Sequence, residues 1–139
     1  FHKNSYVGRT FIKPTQKERQ SAVHLKLSVL SSVVKGKRLV LIDDSIVRGT
    51  TMASLIRMLK DAGATEVHVR ISSPPFLFPC YYGTDVPSND QLIASSHTAA
   101  EICASIGADS LGYMKLEDLK QMTGDLPLCK ACFDSHYPV

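Results

Sequence analysis

The stretch Leu39-Val40-Leu41-Ile42-Asp43-Asp44-Ser45-Ile46-Val47-Arg48-Gly49-Thr50-Thr51 decides the fold. Its first four residues are a continuous apolar run, the pattern of a parallel strand buried on both faces. The chain must then turn, because 43–51 is polar apart from Ile46 and Val47. Leu55, Ile56, Met58 and Leu59 follow at helical spacing and predict a helix that closes at Lys60-Asp61-Ala62-Gly63, with Gly63 as its C-terminal cap. Glu66-Val67-His68-Val69-Arg70-Ile71 then resumes a strand pattern. Strand, helix and strand in this order make an α/β unit whose parallel strands need a crossover, expected to be right-handed.

Upstream, Tyr6-Val7-Gly8-Arg9-Thr10-Phe11-Ile12 reads as a short strand or extended loop, ended by Pro14. Thr15-x-x-Glu18 has the form of a capping box, and Val23, Leu27, Leu30 and Val34 keep helical spacing, although 27–34 is rich in serine and valine and reads ambiguously. Downstream, Ser72-Ser73-Pro74-Pro75 breaks the strand, and a loop runs to Pro87. Ser88-x-x-Gln91 and Thr98-x-x-Glu101 resemble capping boxes, one opening a short helix near Leu92 and one a helix through Ile102 and Ile106. A last short strand is expected at 110–114 and a last helix at 116–122. There is no internal repeat and no low-complexity tract.

With 139 residues, 44% hydrophobic and 21% charged, the chain has the balance of an ordinary folded domain and length for one core without disulfide staples. The net charge of +3 is spread along the chain, so nucleic-acid binding has no compositional support, and no apolar run is long enough to span a bilayer. Four cysteines are too few for a disulfide scaffold. Cys129-x-x-Cys132 has the spacing of a metal or redox pair, and Cys103 either completes a four-cysteine zinc site or is a small core residue within Ala-Glu-Ile-Cys-Ala-Ser-Ile. His68 falls in a strand and the other histidines are scattered, which reads as structural. Met52 and Met58 read as core or flank at helical spacing.

The chemistry of 39–51 is more specific. It puts two carboxylates at the carboxyl end of a strand, where open α/β sheets bind ligands, and hydroxyls at a helix start. Free N–H groups and the dipole of the helix beginning near Thr50 suit a phosphate, and Gly49 lets the backbone curl close to an oxyanion. Asp43 and Asp44 would repel that phosphate, so they suit sugar hydroxyls or a hard divalent ion; the plain alternative is that they cap a turn. The combination points to a sugar phosphate.

This signature resembles the phosphoribosylpyrophosphate (PRPP) loop of the type I phosphoribosyltransferases. Together with Tyr6-Val-Gly-Arg-Thr-Phe-Ile, Gly63-Ala-x-Glu-Val-His-Val-Arg-Ile-Ser-Ser-Pro-Pro, Gln91-Leu-Ile-Ala and Ile106-Gly-Ala-Asp, it is similar to the glutamine PRPP amidotransferase family over essentially the whole chain. The resemblance implies a partial type I phosphoribosyltransferase fold, a mainly parallel sheet flanked by helices with a C-terminal metal-cluster tail. Residues 1–139 are expected to be the C-terminal part of such a domain, with a flexible loop at about 3–26, the PRPP loop at 39–51 and a cysteine-containing tail at about 124–139. The missing initiator methionine fits a fragment, and no glutaminase half is expected in the chain, which alone is expected to be inactive.

By the same resemblance, PRPP and glutamine-derived ammonia give 5-phosphoribosylamine and pyrophosphate, the first committed step of purine synthesis. Asp43 and Asp44 are implied to bind the ribose hydroxyls and help hold Mg2+, while Ser45, Ile46, Val47, Arg48, Gly49, Thr50 and Thr51 cradle the 5-phosphate. Arg9 and Lys26 are implied to meet pyrophosphate charge from the flexible loop. Cys80, Cys129 and Cys132 resemble three ligands of a 4Fe-4S cluster whose fourth lies outside this chain, and Cys103 matches no ligand position. The family further implies a homo-oligomer, no nucleic-acid or membrane partner, and a cytoplasmic location, or a plastid one in a plant or alga. The competing reading is a PRPP-binding regulatory module without catalysis, since fold does not settle function.

Overall fold

The computed structural model describes residues 2–3, 27–84, 86, 88–124 and 126–138. In chain order these form β1 (His2–Lys3), β2 (Leu27–Ser28), α1 (Ser31–Val34), β3 (Arg38–Asp43), α2 (Thr50–Asp61) and β4 (Glu66–Ile71). Two 3-10 turns follow at Asn89–Gln91 and Ile93–Ser95, then α3 (Ala99–Ile106), β5 (Ser110–Tyr113), α4 (Leu116–Thr123) and α5 (Ala131–Asp134). The strand at 6–12, the capping box at Thr15 and Glu18, Val23, Arg9 and Lys26 lie outside the described residues.

A parallel three-stranded sheet of order β3-β4-β5 carries the architecture. Its register runs Arg38 with Glu66 through Asp43 with Ile71, and His68 with Ser110 through Ile71 with Tyr113. Alternation sends Val67, Val69 and Ile71 of β4 to one face, where they pack with Met52, Ile56 and Leu59 of α2 and Ile102 and Ile106 of α3. Leu39, Leu41, Leu111 and Tyr113 border the same core. Each fully buried Val or Ile side chain contributes about 1.5–3 kcal/mol, so this layer is what holds β3 and the start of α2 in place. Among the described residues no helix is long and apolar enough to cross a membrane.

The helix ends follow the sequence closely. Gly63 takes φ +97, with Gly63 N–H donating to Lys60 C=O at 2.9 Å and Ala64 N–H to Leu59 C=O at 3.1 Å, the paired bonds of a Schellman stop. Thr98 and Glu101 form both limbs of their capping box, with Thr98 N–H donating to Glu101 Oε2 at 2.7 Å and Glu101 N–H to Thr98 Oγ1 at 3.3 Å.

Three expectations are corrected. The apolar run of β3 is covered on one face only among the described residues: Val40 and Ile42 are 65% and 72% exposed, because α2 and α3 both pack on the other face. Leu27, placed at helical spacing by the sequence, is in β2, whose antiparallel pairing with β1 overrides the local pattern. Ser88 makes no side-chain cap, and the segment after it forms two 3-10 turns instead of a helix, since Gln91 is engaged elsewhere.

Candidate functional site

The site is built where β3 ends. Asp43 is the last residue of the strand and shares the parity of Leu39 and Leu41, so its carboxylate is half-buried beside the core. Burial raises its pKa above the ordinary carboxylate value; the N–H of Asp44 opposes this, and the charge of Asp44 adds to it. Asp44 N–H donates to Asp43 Oδ1 at 3.0 Å, and Ser45 Oγ donates to Asp44 Oδ1 at 3.1 Å. The neighbouring strand end is tied to the same point, with Ser72 N–H donating to Asp43 C=O at 3.0 Å. The two carboxylates are thus held at the carboxyl edge of the sheet, Asp44 exposed and Asp43 partly shielded.

The loop then drops a single anchor into the core, Ile46, which is 3% exposed. Its side chain therefore cannot face a ligand, and only its backbone is available to one. Gly49 adopts φ +78, a left-handed conformation that costs any L-residue, and from it α2 begins at Thr50. No side chain caps this end of α2: the first intrahelical bond is Ala53 N–H to Gly49 C=O at 2.9 Å, which leaves the amides of Thr50, Thr51 and Met52 free of intrahelical partners. Donors and the positive end of a three-turn helix dipole stand a few residues from a carboxylate pair. Such an arrangement takes an anion at the helix and hydroxyls or a hard cation at the aspartates. The structure places 43–51 on the strand end, the loop and the first turn of α2. The left-handed Gly49 occupies the N-cap position, so neither Thr50 nor Thr51 caps α2.

Three of the cysteines lie on the loop after β4 (Cys80) and in the C-terminal tail (Cys129 and Cys132). Leu77 and Phe78 N–H groups donate to the carbonyl of Cys132 at 2.9 and 3.1 Å, which binds the loop carrying Cys80 to the tail. Phe76 packs edge-on against Phe133 at 5.1 Å between centroids. Cys80 thiol is pulled down to about 7, first by the N–H of Tyr82 and then by that of Thr84, which lies 3.4 Å from Sγ. Burial pushes Cys132 up, and the charges of Cys80 and Cys129 push it further. Among the described residues, however, no three His, Cys, Asp or Glu side chains stand close enough together to hold a metal ion. Cys103 is apart on α3, half-buried, with Sγ 3.3 Å from Ala108 C=O, in keeping with a packing role. His68 also proves structural, with one ring nitrogen 2.9 Å from Ser110 Oγ on the neighbouring β5 and the other 2.8 Å from Glu66 Oε2 on its own strand.

Sequence reasoning missed two features. The thiol-facing backbone at 82–84 had no residue signature beyond Gly83. Gln91, noted only as part of a capping pattern and a family likeness, in fact bonds to Arg48 of the loop.

Comparisons with known proteins agree with this geometry. A model of the phosphoribosyl transferase domain matches residues 4–72. The amidophosphoribosyltransferase of Synechocystis is 52% identical over 139 residues, covering 99% of this chain and 28% of that protein. The chloroplastic amidophosphoribosyltransferase of Glycine max is 52% identical, covering 99% of this chain and 24% of its own length. The solved glutamine PRPP amidotransferase of B. subtilis, complexed with ADP and GMP, superposes with a TM-score of 0.80 at 52% identity, covering 98% of this chain and 31% of that one. The chain therefore spans about three tenths of the length of these relatives. Residues 4–72 thus match the phosphoribosyl transferase domain, and nearly the whole chain is similar to one segment of the amidophosphoribosyltransferases.

Proposed function

We propose that this chain forms the PRPP-binding part of an amidophosphoribosyltransferase, which makes 5-phosphoribosylamine from PRPP and glutamine-derived ammonia with release of pyrophosphate. The observation that carries the proposal is the acidic pair at the end of β3, followed through a left-handed glycine by an uncapped helix. The 5-phosphate would lie on the free amides of Thr50, Thr51 and Met52 and on the hydroxyls of Ser45, Thr50 and Thr51, with Arg48 supplying charge. Asp43 and Asp44 would accept from the ribose hydroxyls and hold Mg2+, and as hard oxygen donors they fit that ion. Bound there, magnesium supplies positive charge to the leaving pyrophosphate.

In this assignment the protein orients the sugar, so that C1 is presented to ammonia as the bond to pyrophosphate breaks. The carboxylates stabilise the positive charge that develops on the ribose ring, so no protein nucleophile is required. Arg9 and Lys26, outside the described residues, would meet the pyrophosphate from the 3–26 segment.

Cys80, Cys129 and Cys132 would supply three thiolates to a 4Fe-4S cluster. The soft donor set and the backbone amides that favour a thiolate at Cys80 support that reading, while among the described residues the three sulfurs are not gathered around one point. We assign the domain as the 1–139 part described above, within a homo-oligomer that is cytoplasmic or, in a plant or alga, plastidial; plant relatives are named chloroplastic. The relatives are named as transferases, so a purely regulatory PRPP module is not favoured.

The test grafts this chain in place of the matching segment of the full-length Bacillus subtilis relative and measures pyrophosphate release from PRPP with ammonia and magnesium. Turnover is expected, and Asp43→Asn with Asp44→Asn should abolish it. Binding without consumption would favour the regulatory module, and turnover retained by the double variant would overturn the site. Iron and sulfide analysis of the anaerobic protein tests the cluster; zinc without sulfide contradicts it.

A further inference from the structure

The acidic loop makes few hydrogen bonds of its own, and the ones that reach 44–49 from a distant part of the described chain come from one short segment. Ile93 N–H donates to Val47 C=O at 2.9 Å, and Arg48 Nη2 donates to Gln91 Oε1. The same segment touches the loop apolarly: a Cβ placed on Gly49 would lie 3.2 Å from Ile93 Cδ1. Three consecutive loop residues, Val47, Arg48 and Gly49, are thus met by a backbone N–H, a side-chain amide oxygen and a methyl group from 91–93.

That segment is itself rigidly seated. Leu92 is 1% exposed, and around it the two 3-10 turns are tied by Ser95 Oγ donating to Leu92 C=O at 2.7 Å and His97 N–H donating to Ile93 C=O at 3.1 Å. The free side of α2 needs such help. A loop that must present amides to a dianion has to leave those amides unpaired, so its shape must be fixed through its carbonyls and side chains instead. Val47 C=O and the Arg48 guanidinium are the groups engaged. An arginine has five N–H donors, so the bond to Gln91 orients the guanidinium while leaving further donors for an anion.

We propose that residues 91–93 are a brace that holds the phosphate loop in its ligand-ready shape, with Gln91 as a positioning residue that acts through Arg48. The proposal rests on the reading of 43–51 as a PRPP site. It predicts that losing the Gln91 acceptor weakens anion binding by slackening the loop, with little effect on the chemical step once the site is filled.

The experiment uses the full-length graft described above, with Gln91→Leu, which keeps bulk but removes the acceptor, and Gln91→Glu, which restores an acceptor oxygen. Gln91→Leu is expected to raise the KM for PRPP about tenfold, the scale of one charged hydrogen bond, with kcat within about twofold by the same reasoning. Gln91→Glu should return the KM to within about threefold of the unsubstituted protein. Hydrogen exchange without PRPP gives the readout independent of ligand: the Ile93 amide should exchange about tenfold faster in Gln91→Leu and recover in Gln91→Glu. An unchanged Ile93 amide in Gln91→Leu overturns the brace, and so does a Gln91→Glu protein no better than Gln91→Leu. Faster exchange in a protein whose unsubstituted form never binds PRPP would instead overturn the assignment of the loop, and with it the functional role of the brace.

Discussion

Gly49 is where backbone conformation and packing meet most sharply, and Gly49→Ala separates their costs. A non-glycine residue held at φ +78 costs about 1–2 kcal/mol in backbone energy. The added methyl would also lie 3.2 Å from Ile93 Cδ1 and 3.4 Å from Ile106 Cγ2. The first, a side-chain end, must give by a few tenths of an ångström and the second is at the edge of ordinary contact, which puts the packing cost at the low end of overpacking, about 1 kcal/mol. The total is about 2–3 kcal/mol. Gly107 supplies the control, since it has φ +74 with nothing within 4 Å of its missing Cβ, so Gly107→Ala carries only the backbone part. Native-state hydrogen exchange of the α2 amides at Leu55 and Ile56, in the full-length graft, reads the opening free energy. Gly49→Ala should lower it by about 1 kcal/mol more than Gly107→Ala does. Equal losses in the two variants would refute the claim that the loop is seated tightly against Ile93 and Ile106.

Other perturbations have equally definite outcomes. Because burial raises the folded pKa of Asp43, its ionised form costs stability above that pKa, and the cost fades as pH falls through the folded pKa towards the unfolded one. In EDTA, Asp43→Asn should therefore protect α2 against exchange at neutral pH and lose that advantage near pH 4, about the unfolded carboxylate value; with magnesium restored it should abolish PRPP turnover. Thr98→Ala removes one limb of the capping box and should cost about 1 kcal/mol, read as faster exchange at the Glu101 amide with PRPP affinity unchanged. In the metal-free protein, Cys80 should be alkylated by iodoacetamide with a pH midpoint of about 7, well below an ordinary thiol, and Cys80→Ser should abolish that fast phase.

The elements legible in the sequence were those whose signals are local. Glu66–Ile71, the Gly63 stop and the Thr98 capping box each depend on residues within a few positions of one another, and each formed as read. The acidic loop was legible for the same reason, since its donors and acceptors are contiguous. The failures are non-local. Leu27 was drawn into a two-residue ladder by His2 and Lys3, a partner no helical periodicity can reveal. Gln91 fitted a capping pattern, but a guanidinium forty-three positions away competed for its side chain. The thiolate-favouring amides at 82–84 are backbone groups, and a sequence names side chains only.

The bare face of β3 bears on how this segment can be handled. Among the described residues β3 pairs with β4 alone, so within that set no strand lies along the other edge of the strand that ends in Asp43. Val40 and Ile42 stand out from the same strand. An unguarded edge with projecting β-branched side chains is a template for adding strands from other molecules. Solubility and ligand geometry are therefore coupled where this stretch is studied by itself: a self-association that recruits this edge would run into Asp43, the last residue of the strand, and Val40→Lys or Ile42→Lys would be the first substitution to make.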